Sequence, residues 1–176
     1  TLEGDAFHRY NRVEMKKELE KRNTNGGATF SHFSFEANLL QELEECFRNY
    51  SEKGKCRYRH YVHNAKEEEL YGAKPGNFTE WQQFDDSSDL LFYEGLHGAV
   101  VSENLNIARY ADLKIGVVPV INLEWIQKIH RDRDSRGYST EAVTDTILRR
   151  MHAYVHCICP QFTETDINFQ RVPVVD

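Results

Sequence analysis

The sequence lacks the features that would place it in a membrane or outside the cell. Its 176 residues contain no run of 18 apolar residues and no basic segment followed by an apolar one. Nothing in it therefore favours a membrane span or a secretory signal, and we expect a soluble, cytoplasmic protein without a membrane partner. Its 40% hydrophobic residues suffice for one sizeable core, so we take residues 1–176 as a single domain.

The sequence also has few cysteines and no excess of positive charge. The four cysteines are Cys46, Cys56, Cys157 and Cys159; without secretory features they indicate reduced thiols, and we expect no disulfide bridge. The net charge of −6 weighs against a nucleic-acid binder. Basic and aromatic residues alternate in segment 53–63, as in single-strand binders, but this patch is short and favours a small anionic ligand instead.

A second cysteine-containing segment has the residue types of a zinc site. His152 and His156 lie close to Cys157 and Cys159. A zinc site of this kind needs a second ligand pair, and no further CxxC-type pair accompanies these residues. We therefore interpret the segment as a core helix and its exit.

Four segments have helical signals. Asn11 with Glu14 predicts a capped helix to about Arg22, and Ser34 is the predicted cap of a second helix that ends near Tyr50. Segments 124–133 and 140–157 show helical spacing. The predicted buried positions of these helices are Met15, Leu19, Leu39, Leu40, Leu43, Phe47, Tyr50, Ile126, Ile129, Val143, Ile147, Met151 and Tyr154.

Strand signals alternate with the helices and predict an α/β fold. Residues 1–4 resemble the end of a strand, 56–63 alternate with period two, and 167–175 form a last strand-like stretch. Segments 89–98 and 113–123 are apolar runs, which predicts parallel strands buried on both faces. The segment between Asn64 and Phe84 is acidic and reads most simply as a solvated excursion.

Charged residues follow several of these strands, where ligands bind in open α/β sheets. Asp5 follows the first strand, and Glu94 ends an apolar run, as would suit a metal-phosphate enzyme. Lys128, Arg131 and Asp132 share one predicted helix face, and such fixed cations suit phosphates.

Each of these groups also has a purely structural interpretation. Glu94 can be an ordinary strand-end carboxylate. The cations near Asp132 can belong to a solvated face of mutually neutralising charges. Asp5 can cap a turn with His8 packed beneath it; alternatively, Asp5 takes a proton from an alcohol while His8, Arg9 and Arg12 hold an anionic substrate.

Longer segments point to a family. The chain resembles the bacterial phosphoribulokinases from end to end in the segments EGDAFHRYNR, ATFSHFSFEAN, YVHN, PGNFTEW, LLFYEGLHGAVV, DLKIGVVPVINLEWIQKIHRDR, RGYSTEAVTDTILRRMHAYV and QFTETDINFQRVPVVD. The resemblance implies a P-loop kinase-like layered α/β fold with a mostly parallel sheet. It also implies phosphorylation of ribulose 5-phosphate to ribulose 1,5-bisphosphate with ATP and Mg²⁺, in the Calvin cycle.

The resemblance implies a role for each matching residue. Asp5 matches the catalytic base, Glu94 the acid beside the metal-nucleotide site, and Asp132 a second catalytic acid that helps organise Mg²⁺. Lys128 and Arg131 match residues at the phosphates. The predicted substrate contacts are His8, Arg12, Tyr61, His63 and, in the lid, Arg136. These carboxylates and cations are expected to converge on one crevice.

The sequence departs from the family at its start. No GxxxxGK[ST] phosphate loop occurs anywhere in it. We therefore expect an internal fragment of a longer protein, lacking the P-loop and the C-terminal part, marginally folded and unable to turn over ATP alone. The resemblance also implies a homo-oligomer with NADH and AMP as effectors. A uridine-kinase-like phosphotransferase and an inactive interaction module remain alternatives.

Overall fold

The computed structural model describes residues 1–24, 30–84 and 88–172. It contains helices α1 (Arg12–Thr24), α2 (Leu40–Lys53), α3 (Ala65–Tyr71), α4 (Ile121–Arg136) and α5 (Thr140–Ala153). The strands are β1 (Leu2–Glu3), β2 (Arg57–Tyr58), β3 (Gln82–Gln83), β4 (Tyr93–Glu94), β5 (Val101–Ser102), β6 (Leu105–Asn106), β7 (Ile115–Pro119) and β8 (Ile167–Arg171).

The predicted capping box at the start of α1 is confirmed. The Asn11 side-chain oxygen accepts hydrogen bonds from the main-chain N–H groups of Val13 and Glu14. The Glu14 carboxylate accepts in return from the N–H of Asn11 at 2.9 Å. These bonds satisfy N–H groups that have no partner inside the helix.

The predicted start of the second helix is wrong. Ser34 does not cap α2, which begins at Leu40; residues Phe35–Ala37 form a separate 3₁₀ turn. The Ser34 hydroxyl accepts from the N–H of Ser31, and its carbonyl accepts from the Asn38 side chain. Side-chain hydrogen bonds of this kind compete with helix formation, so the helix starts only after Asn38.

The acidic segment after Asn64 is more ordered than a solvated excursion. It forms α3, whose first N–H groups, from Lys66 and Glu67, bind the Asn64 side-chain oxygen. Strands β2 and β3 pair antiparallel on either side of it. This places residues 59–63 next to the segment that returns toward Trp81.

Parallel pairing is confirmed for two pairs, β1 with β4 and β7 with β8. Burial on both faces is wrong: Phe92, in the run before β4, is 58% exposed, and Val117 of β7 is 67% exposed. Among the described residues, helices cover only part of these strands. Ile126 of α4 is likewise 54% exposed, not buried.

The main core lies between the β1–β4 pair and α2. Leu2, Phe7, Leu43 and Ile107 are almost fully buried in it. On α5 the predicted inner residues Val143 and Ile147 are buried as expected. All four cysteines are free thiols, and none of the helices in the described ranges is long and apolar enough to cross a membrane.

Candidate active site

The carboxyl ends of β1 and β4 bring two acidic residues to one edge. The strands pair in parallel, with Glu3 opposite Glu94, and β1 leads directly into a 3₁₀ turn that carries Asp5. The backbones come close here: a Cβ on Gly4 would lie 2.7 Å from the Gly95 Cα. Glycine at Gly4 therefore lets the Asp5 turn lie beside Glu94, whose side chain is exposed.

The Asp5 carboxylate lies between two histidines. Its Oδ1 is 3.1 Å from His8 Nε2, and its Oδ2 is 3.5 Å from His63 Nε2. The hydrogen bond with His8 and the charges of both histidines outweigh the effect of burial and hold the pKa of Asp5 below its ordinary value. Asp5 is therefore an ionised acceptor at neutral pH, with a side chain that is still 41% exposed.

The predicted substrate-binding residues surround this carboxylate. The Tyr61 ring lies 6.3 Å from the ring of buried His8 and 4.9 Å from that of His63. Arg12, the first residue of α1, donates from Nη2 to the His63 carbonyl at 3.2 Å. The structure thus brings together Asp5, His8, Arg12, Tyr61 and His63.

Arg59 binds the main chain of the turn that carries Asp5. The sequence alone did not predict this contact. Its guanidinium donates to the carbonyls of Ala6 and His8 at 2.8 and 2.7 Å. The same group stacks on Phe78 and Trp81, 3.6 and 4.6 Å from the ring centroids. Burial lowers the pKa of Arg59 to about 10, so it keeps its charge at neutral pH.

The predicted cations of α4 bind Asp132. Lys128 Nζ lies 2.5 Å from Asp132 Oδ2, and Arg131 Nε lies 3.0 Å from Oδ1. Asp132 is only 4% exposed. Burial raises the pKa of this carboxyl, but the hydrogen bonds from Lys128 and Arg131 outweigh it and hold the pKa below its ordinary value. The adjacent pair of Arg133 and Asp134 is also present, as the interpretation of mutually neutralising charges expects.

An apolar cavity lies beside the Lys128 end of the α4 cations. Lys128, Trp125 and Tyr154 line this space of about 70 Å³ together with Phe33. Phe33 follows His32, whose ring lies 4.7 Å from that of His8. Residues 32–33 thus contact the Asp5 cluster through His32 and line the cavity through Phe33, while the convergence of the two groups of charges on one crevice stays a prediction. Arg136 ends α4, and its side chain lies outside the described residues.

The residues present do not form a magnesium site by themselves. Within the described ranges, no three His, Cys, Asp or Glu side chains are grouped as metal ligands. Both oxygens of Asp132 bind the side chains of Lys128 and Arg131, and its role as an acid that helps organise Mg²⁺ stays a prediction. Glu94 is an exposed carboxylate at the strand edge, and its place beside a metal-nucleotide site stays a prediction. His152 and His156 stack on each other, with ring centroids 4.1 Å apart.

Three more polar residues lie near His8, and no role was predicted for them: Asn38 and His97 are buried and His32 is half-buried. Asn38, His32 and His97 surround its far side. Burial lowers the pKa of His32 to about 3 and that of His97 to about 4, so both are neutral. The hydrogen bonds that join His8 to Asn38, Asn38 to His97 and His97 to the His32 carbonyl span 30 to 65 residues of sequence, which explains why no local pattern revealed them.

Comparison with known proteins identifies the family. The pattern of the Phosphoribulokinase / Uridine kinase family matches residues 1–176. This chain belongs to the phosphoribulokinase/uridine kinase family. It is 70% identical over 176 residues to phosphoribulokinase 1 of Cereibacter sphaeroides, covering all of this chain and 61% of that protein. It is 67% identical to the phosphoribulokinase of Nitrobacter vulgaris, covering 99% of this chain and 60% of that one.

A solved structure supports the family assignment. The phosphoribulokinase from Rhodobacter spheroides matches 99% of this chain with a TM-score of 0.88 and 70% identity, over 61% of its own length. The fold is therefore the layered α/β fold of P-loop kinases, whose sheet is mostly parallel; within the described residues its strands form two parallel and two antiparallel pairs. The chain spans about 60% of the length of these relatives.

Proposed function

We propose that the protein carrying this chain transfers the γ-phosphoryl group of ATP to the C1 hydroxyl of ribulose 5-phosphate. The observation that carries the proposal is the Asp5 carboxylate, ionised and held between His8 and His63 at a strand edge. Its similarity to proteins named phosphoribulokinase supports the choice of acceptor. The product would be ribulose 1,5-bisphosphate, the Calvin-cycle intermediate.

In this mechanism Asp5 acts as the general base. The C1 hydroxyl gives its proton to Asp5 while its oxygen forms a bond to the γ-phosphorus. The bond from that phosphorus to the bridging oxygen breaks, and ADP leaves. A carboxylate with a lowered pKa is a weak base, but a weak base suits this step. The hydroxyl gives up its proton while its bond to phosphorus forms, and not before.

Cations on two sides would balance the charge of the phosphates. We assign Arg12 and His63, with Tyr61, to the sugar phosphate. His8 belongs to the same substrate site through Asp5, because both of its ring nitrogens already have partners. We assign Lys128 and Arg131 to the transferred phosphoryl group and Arg136 to the lid. Asp132 would hold the first two cations in fixed positions, since it binds both.

ATP and Mg²⁺ are proposed as cofactors, with Glu94 as the acid nearest the metal-nucleotide site. The 176 residues contain no GxxxxGK[ST] loop, so we propose that they are part of a single, longer kinase domain and cannot turn over ATP alone. From the resemblance alone we also expect a homo-oligomer that responds to NADH and AMP.

A substrate panel tests the proposal. The full-length protein is incubated with ATP, Mg²⁺ and either ribulose 5-phosphate, uridine or no acceptor, and ADP release is measured. We expect ADP release with ribulose 5-phosphate only, and none from the 176-residue chain alone. Release with uridine alone would assign the other branch of the family, and release with neither would reject the phosphotransferase assignment.

A further inference from the structure

His8 and Asn38 face each other across two crossing segments. They form an isolated antiparallel bridge, and main-chain hydrogen bonds flank it on both sides. Arg9 N–H donates to the Ala37 carbonyl at 2.8 Å, and Leu39 N–H donates to the Phe7 carbonyl at 2.7 Å. In a bridge of this type the opposing side chains lie closest. The backbone therefore fixes the Asn38 amide against the His8 ring.

The orientation of the Asn38 amide follows from its other contacts. Nδ2 lies 2.9 Å from the carbonyl oxygens of both His32 and Ser34. Carbonyls only accept, so this atom must be the NH₂ group. The remaining amide oxygen lies 2.7 Å from His8 Nδ1. Since an amide oxygen also only accepts, His8 Nδ1 must carry a hydrogen.

With Nδ1 facing Asn38, the other ring nitrogen of His8, Nε2, faces Asp5. His8 Nε2 lies 3.1 Å from Asp5 Oδ1. A bare nitrogen lone pair would repel the carboxylate at this distance, so a proton lies between the two atoms. Asp5 Oδ1 is then occupied by His8, and Oδ2, on the His63 side, is the oxygen left for an acceptor hydroxyl.

The other neighbours of His8 contact its ring face or its main chain rather than its ring nitrogens. His32 is neutral, as is His97 on the far side of Asn38, because burial lowers the pKa of both. Arg59 contacts His8 only through the main-chain oxygen, and Tyr61 meets the ring edge-on. Asp5 is the acidic group in contact with the imidazole.

We propose that Asn38 is a positioning residue that fixes the protonation pattern of His8 and thereby directs Asp5 Oδ2 toward the acceptor hydroxyl. The directional part of this inference rests on the proposed function. The effect of Asn38 on the His8 ring does not, because it follows from hydrogen bonds within the chain.

The first measurement is made on the wild-type full-length protein. Its histidines are labelled with ¹⁵N, and the His8 signals are assigned by their loss in His8→Gln. We expect His8 Nδ1 to be protonated at neutral pH and to show a hydrogen-bonded signal. An unprotonated Nδ1 would overturn the proposal, and this result requires no Asn38 variant to fold.

The second measurement compares Asn38→Leu with a matched control. Leucine has a similar shape but cannot accept from His8. Ser34→Ala removes one buried hydrogen bond from the same turn without touching the ring. We expect Asn38→Leu to lower kcat about 10- to 100-fold with a much smaller change in KM, and to lose the protonated Nδ1 signal, while Ser34→Ala changes neither.

An equal loss of kcat in Asn38→Leu and Ser34→Ala, or an unchanged Nδ1 signal in Asn38→Leu, would contradict a positioning role. If the wild-type protein prefers another acceptor, the kcat comparison is made with that acceptor. Failure of the substrate assignment and failure of the Asn38 role therefore give different results.

Discussion

Arg59 and His8 are joined by a 2.7 Å hydrogen bond from the Arg59 guanidinium to the His8 main-chain oxygen. The same guanidinium binds the Ala6 carbonyl and lies over Phe78 and Trp81. One side chain thus connects the turn that carries Asp5 to the segment after α3. The position of the proposed base depends on an arginine more than 50 residues away in sequence.

Replacing this arginine by lysine tests the connection. Lysine keeps the charge but lacks the planar group that can bind two carbonyls while stacking on rings. We expect Arg59→Lys to lower the free energy of unfolding by about 1–3 kcal/mol and to lower kcat. Urea unfolding and steady-state kinetics of the full-length protein measure both.

Arg57→Lys is the matched control, because Arg57 is exposed and approaches Trp81 only at 5.5 Å. Its unfolding free energy should stay within about 0.5 kcal/mol of wild type. Equal effects of the two substitutions would show that Arg59 does not hold the turn.

The close approach of β1 and β4 gives a second prediction. In Gly4→Ala the added Cβ would lie 2.7 Å from both the Gly95 Cα and the Tyr93 hydroxyl, so the strand ends must separate. We expect a loss of about 1–3 kcal/mol in unfolding free energy together with reduced turnover. Unchanged urea midpoint and kcat would show that Asp5 does not depend on this contact.

The buried histidines predict a pH dependence of stability. His32 and His97 bind a proton near pH 6.5 when unfolded but only near pH 3 and 4 when folded. The unfolded chain therefore binds more protons below pH 6.5. Stability is complete above that pH and falls by about 1.4 kcal/mol per pH unit for each histidine as the pH drops toward 4.

The slope of unfolding free energy against pH measures this effect. Asp5 and Asp132, whose pKa values are lowered from 3.8, contribute only below that range, so they do not mask it between pH 6.5 and 5. His97→Gln should reduce the slope by about one proton. The same slope in wild type and variant would show that His97 is not neutral in the folded protein.

Local sequence signals predicted the parts of the fold that depend on neighbouring residues. The Asn11 and Glu14 capping box and the inner residues Val143 and Ile147 of α5 need only spacings of three or four positions. The start of α2 was missed because Ser34 and Asn38 use their side chains in a turn instead. Strand burial was overestimated because composition does not show which helices cover a strand.

The residues of the candidate site also fall into two groups: those that the sequence predicted and those that only the structure shows. The resemblance pointed to residues that face a substrate, and the structure groups Asp5, His8 and His63. Asn38 and Arg59, which support that group, contact carbonyls and rings far along the chain. A hydrogen bond to a carbonyl has no sequence signature, because every residue carries one.

Asp5→Asn in the full-length protein tests the proposed base most directly, with Glu3→Gln, an exposed acid on β1, as the control. Asparagine keeps the size of the side chain but cannot take the proton from the C1 hydroxyl. We predict that kcat with ribulose 5-phosphate falls about 10²- to 10⁴-fold while KM changes only slightly, and that Glu3→Gln behaves like wild type. A kcat near that of wild type, or a rise in KM as large as the fall in kcat, would contradict the assignment of Asp5 as the base.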